Sequence, residues 1–95
     1  MRGDGRRRRS RDGRHYAFTS YMLRGYYRRP DLWEDIGRAV EAVKDDPYFW
    51  IIPAFYRDRM TPGDIGLTYH CDERTVTRNK RRLCLEIYRH WESGT

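Results

Sequence analysis

The sequence predicts an all-α fold, a small helical domain of four to five helices preceded by a disordered basic arm. Apolar residues recur at helical spacing from residue 15 onward, and no segment shows the apolar–polar alternation of a strand. After Met1, the first 14 residues contain no large apolar residue. The chain has 95 residues, 38% hydrophobic and 15% aromatic, so we expect one small domain with an aromatic-rich core.

Residues 1–14 form the predicted arm. They hold seven Arg against two Asp, a net charge of +5, and three Gly, a composition that cannot build a packed structure. We expect the arm to be disordered when free and to follow DNA phosphates or enter the minor groove, as basic arms of other DNA-binding domains do. A solubilising tail or a non-native start of the chain is the alternative. The helical domain then covers residues 15–95, with N-terminal helices in 15–45 and a C-terminal unit in 46–92.

Two helices are predicted in the first half of the domain. In residues 15–29, Phe18, Met22 and Tyr26 lie at i, i+4 and i+8, which predicts a buried stripe. In residues 31–45, Asp31 and Glu34 have the spacing of a capping box at the start of an amphipathic helix.

A further helix is predicted over residues 47–59. Asp46 is a suitable N-cap, and Pro47 suits the first helical position. Pro53 lies inside the segment, where its missing N–H predicts a kink rather than an end, because the apolar pattern on both sides stays in phase.

Residues 60–91 have the layout of a helix-turn-helix, a short helix, a tight turn and a long basic helix. Thr61 is the predicted N-cap of the first helix, with Pro62 in its first turn. Gly66 falls where a crossing helix requires a residue without a side chain. Asp72 is the predicted N-cap of the second helix.

The second helix of this unit has two distinct faces. Val76, Leu83 and Ile87 repeat at i, i+7 and i+11, which predicts a buried stripe, and the opposite face is basic. An exposed basic face is often only solvated, but a basic face opposite a core stripe also suits a helix that enters the DNA major groove. We predict that five residues contact bases: Glu73, Arg74, Thr77, Arg78 and Arg81. The predicted phosphate contacts are Thr61, Arg82, Arg89, Arg6, Arg7, Arg8 and Arg9.

The net charge of +6 is distributed unevenly along the chain. The arm carries +5 and residues 73–91 carry +4, whereas residues 15–72 carry −2. This polarity suits double-stranded DNA as the partner. The sequence has no apolar run that would span a bilayer or serve as a signal-peptide core, so we expect a cytoplasmic, nucleoid-associated protein without a membrane partner.

The cysteines and histidines do not indicate catalysis or a metal site. Cys71 and Cys84 suggest a reduced, intracellular protein, with Cys71 a small buried residue in the turn. The spacing of His70, Cys71, Cys84 and His90 matches no common zinc finger. We therefore expect no metal, no cofactor and no enzymatic activity.

The block from Asp46 to Trp91 resembles region 4 of the sigma-70 family. The resemblance rests on the helix opened by Pro47, the Phe55-Tyr56 pair, the helix start at Thr61, the Asp-Ile-Gly of residues 64–66, the Arg-Thr-Val of 74–76 and the Arg-Asn-Lys of 78–80. His70, in place of the usual turn glycine, and Asn79, in place of a buried apolar residue, depart from the pattern. The chain also resembles small phage-encoded transcriptional regulators of the RinA, ArpU and LtrC type. This resemblance implies a sequence-specific transcriptional regulator, with RNA polymerase and a second copy of the chain as further candidate partners.

Two other functions stay open at this point. A phage DNA-packaging protein of the small-terminase type can also carry a helix-turn-helix, but it needs a ring-forming segment, for which residues 15–45 are short. The interleaved Arg and Tyr residues of the N-terminal third also fit binding of RNA or single strands by base stacking.

Overall fold

The structure, a computed structural model, describes the backbone of residues 4–94 and the side chains of residues 11–94. Within this range it contains five α-helices and no strand, which confirms the all-α prediction. The helices are α1 (Asp4–Arg28), α2 (Glu34–Ala42), α3 (Ile51–Tyr56), α4 (Pro62–Tyr69) and α5 (Glu73–Ser93), and a 3-10 turn (Pro30–Leu32) joins α1 to α2. In this part of the chain no helix combines the length and the apolar character that crossing a membrane requires.

The long helix α5 connects two hydrophobic clusters. The larger cluster packs α1, α2 and α3 against the middle and end of α5, where Leu83, Cys84 and Ile87 are inaccessible to solvent. The smaller cluster packs α3 and α4 against the start of α5 at Val76. Because its buried stripe belongs to both clusters, α5 is fixed in position along most of its length.

Helix α1 extends further toward the N-terminus than the sequence predicts. Its backbone is helical from Asp4, so it includes most of the predicted arm. Arg is a good helix former, which explains why this run can continue the helix. None of residues 11–14 is buried, and among the described side chains of α1, which start at residue 11, Thr19 is the first that is buried. Disorder of the arm in the free protein stays a prediction.

The predicted capping box at Asp31 and Glu34 is wrong. Pro30 opens a 3-10 turn, and the carboxylate of Asp31 pairs instead with Arg29 at 3.1 Å. Helix α2 begins only at Glu34, and its N-cap, Trp33, makes no side-chain capping hydrogen bond. A local ion pair and the fixed φ of proline therefore displace the start of the helix.

The segment after Asp46 also differs from the prediction. The Asp46 carboxylate accepts a hydrogen bond from the backbone N–H of Tyr48 at 2.9 Å, but residues 47–50 form turns and α3 begins at Ile51. Pro53 is consequently the third residue of a short helix. At that position the backbone N–H has no intrahelical partner, so proline removes no hydrogen bond and the predicted mid-helix kink is wrong.

Candidate nucleic-acid interface

The two C-terminal helices and the turn between them are present as the sequence predicts. The Thr61 hydroxyl accepts a hydrogen bond from the backbone N–H of Asp64 at 3.1 Å and caps α4. His70 ends α4 in the left-handed region, at φ 60°, and donates its N–H to the carbonyl of Gly66. A single left-handed residue is a common way to end a helix and turn the chain.

Gly66 allows the turn to close tightly. The backbone N–H of Cys71 donates to the Gly66 carbonyl at 2.9 Å, and a Cβ on Gly66 would lie 2.6 Å from the Cys71 carbonyl oxygen. The prediction that a side chain has no room at Gly66 is therefore confirmed. The contact that forbids it comes from the turn backbone rather than from the crossing helix.

The start of α5 is capped as predicted. The Asp72 carboxylate accepts a hydrogen bond from the backbone N–H of Arg74 at 3.0 Å. Behind this first turn, Val76, Leu83 and Ile87 are fully buried, which confirms the predicted stripe. The opposite face of α5 is thus presented to solvent by a helix that is held at its start and along its length.

The five predicted base-contacting residues lie together on that exposed face. Glu73, Arg74, Thr77 and Arg78 line one shallow groove at the start of α5, and Arg81 is exposed one turn further along. The Glu73 carboxylate lies 3.6 Å from the position that a Cβ on Gly63 would occupy, so its side chain leans toward the first turn of α4. The remaining four side chains are grouped within two helical turns.

Lys80 does not belong to the exposed basic face, although it lies among its residues in the sequence. Its side chain is buried, with Nζ 3.6 Å from the Phe55 ring centroid and 5.7 Å from that of Tyr16. Attraction between the ammonium group and the ring faces offsets part of the cost of burying the charge. Lys80 thus joins α5 to α1 and α3.

Arg82, a predicted phosphate contact, forms ion pairs inside the domain. Its two terminal nitrogens each lie 3.0 Å from an Asp46 oxygen, and one of them lies 2.9 Å from Glu86. The Asn79 side-chain oxygen also accepts from the guanidinium at 3.0 Å. The hydrogen bonds from Arg82 lower the pKa of Asp46 below its usual range. Arg82 therefore fastens α5 to the segment before α3.

Of the other predicted phosphate contacts, the structure describes the side chains of Thr61 and Arg89, which lie at the start of α4 and near the end of α5. Thr61 is exposed at the start of α4, but its hydroxyl oxygen is the helix cap. Arg89 is exposed on α5, about 16 Å along the helix axis from Arg78. The side chains of Arg6, Arg7, Arg8 and Arg9 lie outside the described residues.

His15 and Tyr16 connect α1 to the exposed face of α5, a role that the sequence did not indicate. His15 stacks on Tyr88, with ring centroids 4.0 Å apart, and the Arg81 guanidinium carbon lies 5.3 Å from the Tyr16 ring centroid. The end of the arginine-rich segment therefore lies beside the exposed face of α5. The signal was the aromatic pair that directly follows the arginine run, but its partners belong to a helix 65 to 73 residues away in sequence.

The described residues contain no group of three or more His, Cys, Asp or Glu side chains that is arranged to hold a metal ion. Cys84 is buried, and its sulfur lies 3.4 Å from the Tyr56 hydroxyl. Comparison with known protein families, with curated proteins and with solved structures gives no significant match for this chain. The likeness to sigma region 4 therefore stays a prediction that rests on its motifs.

Proposed function

We propose that this protein binds double-stranded DNA at specific sequences and regulates transcription, with α5 as the helix that enters the major groove. This is the role that the resemblance to sigma region 4 and to the small phage regulators implies. The observation that carries the proposal is the exposed grouping of Arg74, Thr77 and Arg78 on a capped helix whose other face is buried.

The basic residues of α5 fall into two groups, those that pair within the domain and those that are available to a ligand. Lys80 and Arg82 are compensated within the domain by aromatic rings and carboxylates. Arg74 and Arg78 form no ion pair with another described residue, so their guanidinium groups are available to a ligand. An arginine fork matches the O6 and N7 acceptors of guanine, which makes these two the candidates for base reading.

The position of the arm supports additional contacts to the DNA backbone. Helix α1 passes beside the exposed face of α5 at His15 and Tyr16. Arg11 and Arg14, the arginines of the arm whose side chains the structure describes, directly precede this contact. We propose that the arm contacts phosphates and that Arg82 stabilises the fold, whereas Arg81, beside the Tyr16 ring, stays a candidate for base contact.

Contacts within the domain occupy several rings of the N-terminal third, which favours duplex DNA over single strands as the ligand, although the Tyr21 and Phe18 side chains are 64% and 44% exposed. Stacking of bases requires free ring faces. Tyr16 contacts Lys80 and Arg81, Tyr26 packs edge-on against Tyr27, and Phe18 packs edge-on against Trp91. Competition between duplex and single-stranded DNA for the protein tests this choice.

The main experiment selects bound duplexes from a random library with the full chain. Affinity is then measured for the selected site and for a scrambled duplex, using the wild type, Arg78→Ala and Arg38→Ala. Arg38 is an exposed arginine on α2, beside His90 and Trp91 near the end of α5, so its replacement removes the same charge from a different surface.

We expect Arg78→Ala to lower affinity for the selected site by roughly 1–3 kcal/mol and to relax base preference. Arg38→Ala should leave the preference unchanged. If the library yields no preferred sequence, or if the two variants lose the same affinity for both duplexes, α5 does not read bases.

A further inference from the structure

A cavity of about 350 Å³ lies away from the basic face of α5, between the second half of α1 and the segment that joins α3 to α4. Arg24, Tyr27 and Arg28 project into it from one face of α1, at i, i+3 and i+4. Arg57 and Arg59 line it from the opposite side. Its volume lies at the lower end of the range for small-molecule sites, about 300–1,000 Å³.

The charges around this cavity are unbalanced. Among the described residues, no acidic side chain lines it. Arg57 is neutralised from outside by Asp58 at 2.9 Å, whereas Arg24, Arg28 and Arg59 form no ion pair with a described residue. The four arginines are exposed, so solvent screens part of their mutual repulsion, and a bound anion would reduce it further.

The backbone at Arg59 ends α3 and reverses the chain. Arg59 adopts φ 61°, in the left-handed region, and the backbone N–H of the next residue, Met60, donates to the Ala54 carbonyl at 3.1 Å. A left-handed residue is a common way to end a helix, as at His70. The turn places Arg59 at the cavity, opposite the arginines of α1.

The remaining walls are aromatic. The rings of Tyr27, Phe55 and Tyr56 line the cavity, and the Arg24 guanidinium carbon lies 5.8 Å from the Tyr56 ring centroid. Tyr56 itself is only 6% exposed, and its hydroxyl is bonded to Ser20, so Tyr27 and Phe55, which are partly exposed, are the rings that a ligand can reach. Burial raises the pKa of Tyr27 to about 12, which keeps its hydroxyl protonated at neutral pH.

We propose that this cavity binds the phosphate group of a nucleotide, with Arg24, Arg28 and Arg59 around the phosphate and the aromatic walls against the base. Arginine forks suit phosphate oxygens, and ring faces suit a planar base. The nucleotide has two possible sources, a free mononucleotide or the DNA strand. The second source rests on the proposed function. It is compatible with that function because Thr61 and Pro62, at the start of α4, line the edge of the cavity, and the first turn of α4 lies close to Glu73 on the proposed DNA-binding face.

The test compares the full-length wild type with Arg28→Gln, Arg59→Gln and the double variant. Arg38→Gln, an exposed arginine on α2, is the matched control for loss of one charge. Binding of adenosine triphosphate and of inorganic phosphate is measured by calorimetry, and binding of a short duplex is measured over a range of salt concentrations. Circular dichroism verifies that each variant is folded.

If the ligand is a free nucleotide, we expect adenosine triphosphate to bind with a Kd below roughly 1 mM. We also expect that the double variant weakens this binding at least about tenfold while Arg38→Gln does not. If the DNA strand supplies the nucleotide, we expect adenosine triphosphate not to bind. In that case the double variant weakens binding to every duplex and reduces the salt slope by about 0.9 for each phosphate that it no longer neutralises, with Arg38→Gln unchanged.

The proposal is overturned if the double variant behaves like Arg38→Gln with both ligands. If a variant fails to fold, the amide chemical shifts of the wild type are measured instead. The proposal is also overturned if the amide signals of residues 57–62 do not shift when the triphosphate, phosphate or duplex is added. Arg78→Ala separates this proposal from the proposed function. That variant should lose base preference and keep triphosphate binding, so each idea can fail without the other.

Discussion

The hydroxyl groups of Ser20 and Tyr56 lie 2.6 Å apart in the interior of the domain, although 36 residues separate them. The same Tyr56 oxygen lies 3.4 Å from the sulfur of Cys84. One tyrosine hydroxyl thus links α1, α3 and α5 at the point where the three helices meet. Burial and the neighbouring thiol raise the pKa of Tyr56 well above its ordinary value, so the hydroxyl stays protonated.

Replacement of this tyrosine tests the value of the link. Tyr56→Phe keeps the ring but leaves Ser20 and Cys84 without their shared partner. Because a buried polar group left without a partner costs about 1–3 kcal/mol, we expect the free energy of unfolding to fall by that amount. Denaturant unfolding measures it. Tyr21→Phe, at an exposed tyrosine, is the control and should change stability little; an equal loss in both variants would show that the link contributes nothing.

Gly66 and Gly63, both in α4, form a matched pair of sites for substitution by alanine. A Cβ on Gly66 would lie 2.6 Å from the Cys71 carbonyl oxygen, whereas a Cβ on Gly63 meets nothing closer than 3.6 Å. We expect Gly66→Ala to lower stability by about 1–3 kcal/mol, because the turn backbone has to move. Gly63→Ala should be neutral or stabilising by up to about 1 kcal/mol, because alanine favours the helix. Equal melting temperatures for the two variants would contradict the close approach.

Local signals in the sequence predicted the C-terminal unit well. Thr61 and Asp72 cap their helices through backbone groups two or three residues away, so their roles depend on nearby sequence alone. His70, which departs from the pattern because this turn site often holds glycine, nevertheless adopts the left-handed φ that glycine favours. The capping box predicted at Asp31 and Glu34 was wrong, because Asp31 pairs with its neighbour Arg29 instead of capping the helix.

The roles that depend on distant partners could not be predicted. Lys80 lies four residues after Val76 and three before Leu83, on the buried side of α5, but only the ring of Phe55, from another helix, shows how its charge is accommodated there. Arg82 was predicted to contact phosphate. Its pairing with Asp46 could not be foreseen, because Asp46 lies 36 residues earlier in the chain. The four arginines around the cavity between α1 and the α3–α4 segment come from two separate stretches of sequence, and only the packing of those stretches brings them together.

The ion pair of Arg82 and Asp46 should make stability depend on pH in the acid range. The pKa of Asp46 is lowered in the folded protein by its hydrogen bonds to Arg82. The pair therefore stabilises the fold fully above the unfolded aspartate pKa, about 3.9, and this contribution is lost as the pH falls through the lower folded pKa. Because both side chains are partly exposed, we expect no more than about 1 kcal/mol from the pair.

Urea unfolding at a series of pH values measures this effect. Asp46→Asn should be less stable than the wild type at neutral pH, and the difference should shrink as the pH falls below about 4. Asp45→Asn, at the exposed neighbouring aspartate, is the control. A wild-type advantage that stays constant down to the lowest pH would mean that Asp46 stabilises the fold by something other than its charge.

The arm offers the sharpest test of how this protein would bind DNA. Residues 1–14 carry a net charge of +5, and none of residues 11–14 is buried. If the arm neutralises phosphates, each contact adds about 0.9 to the slope of log affinity against log salt. Deletion of residues 1–14 should therefore weaken binding to all duplexes and flatten the slope by several units, while base preference persists. The melting temperature should change little, because the deletion leaves the packing of α1 from Thr19 onward intact.

A second variant separates the charge of the arm from its length. Replacement of Arg6, Arg7, Arg8 and Arg9 by glutamine keeps the chain length and a good helix former at each position, and removes four positive charges. It should reproduce most of the decrease in salt slope caused by the deletion. If the deletion leaves the slope unchanged, the arm does not contact DNA. If the deletion instead abolishes base preference with little loss of non-specific affinity, the arm reads the minor groove, where inserted arginines sense groove width and A·T content.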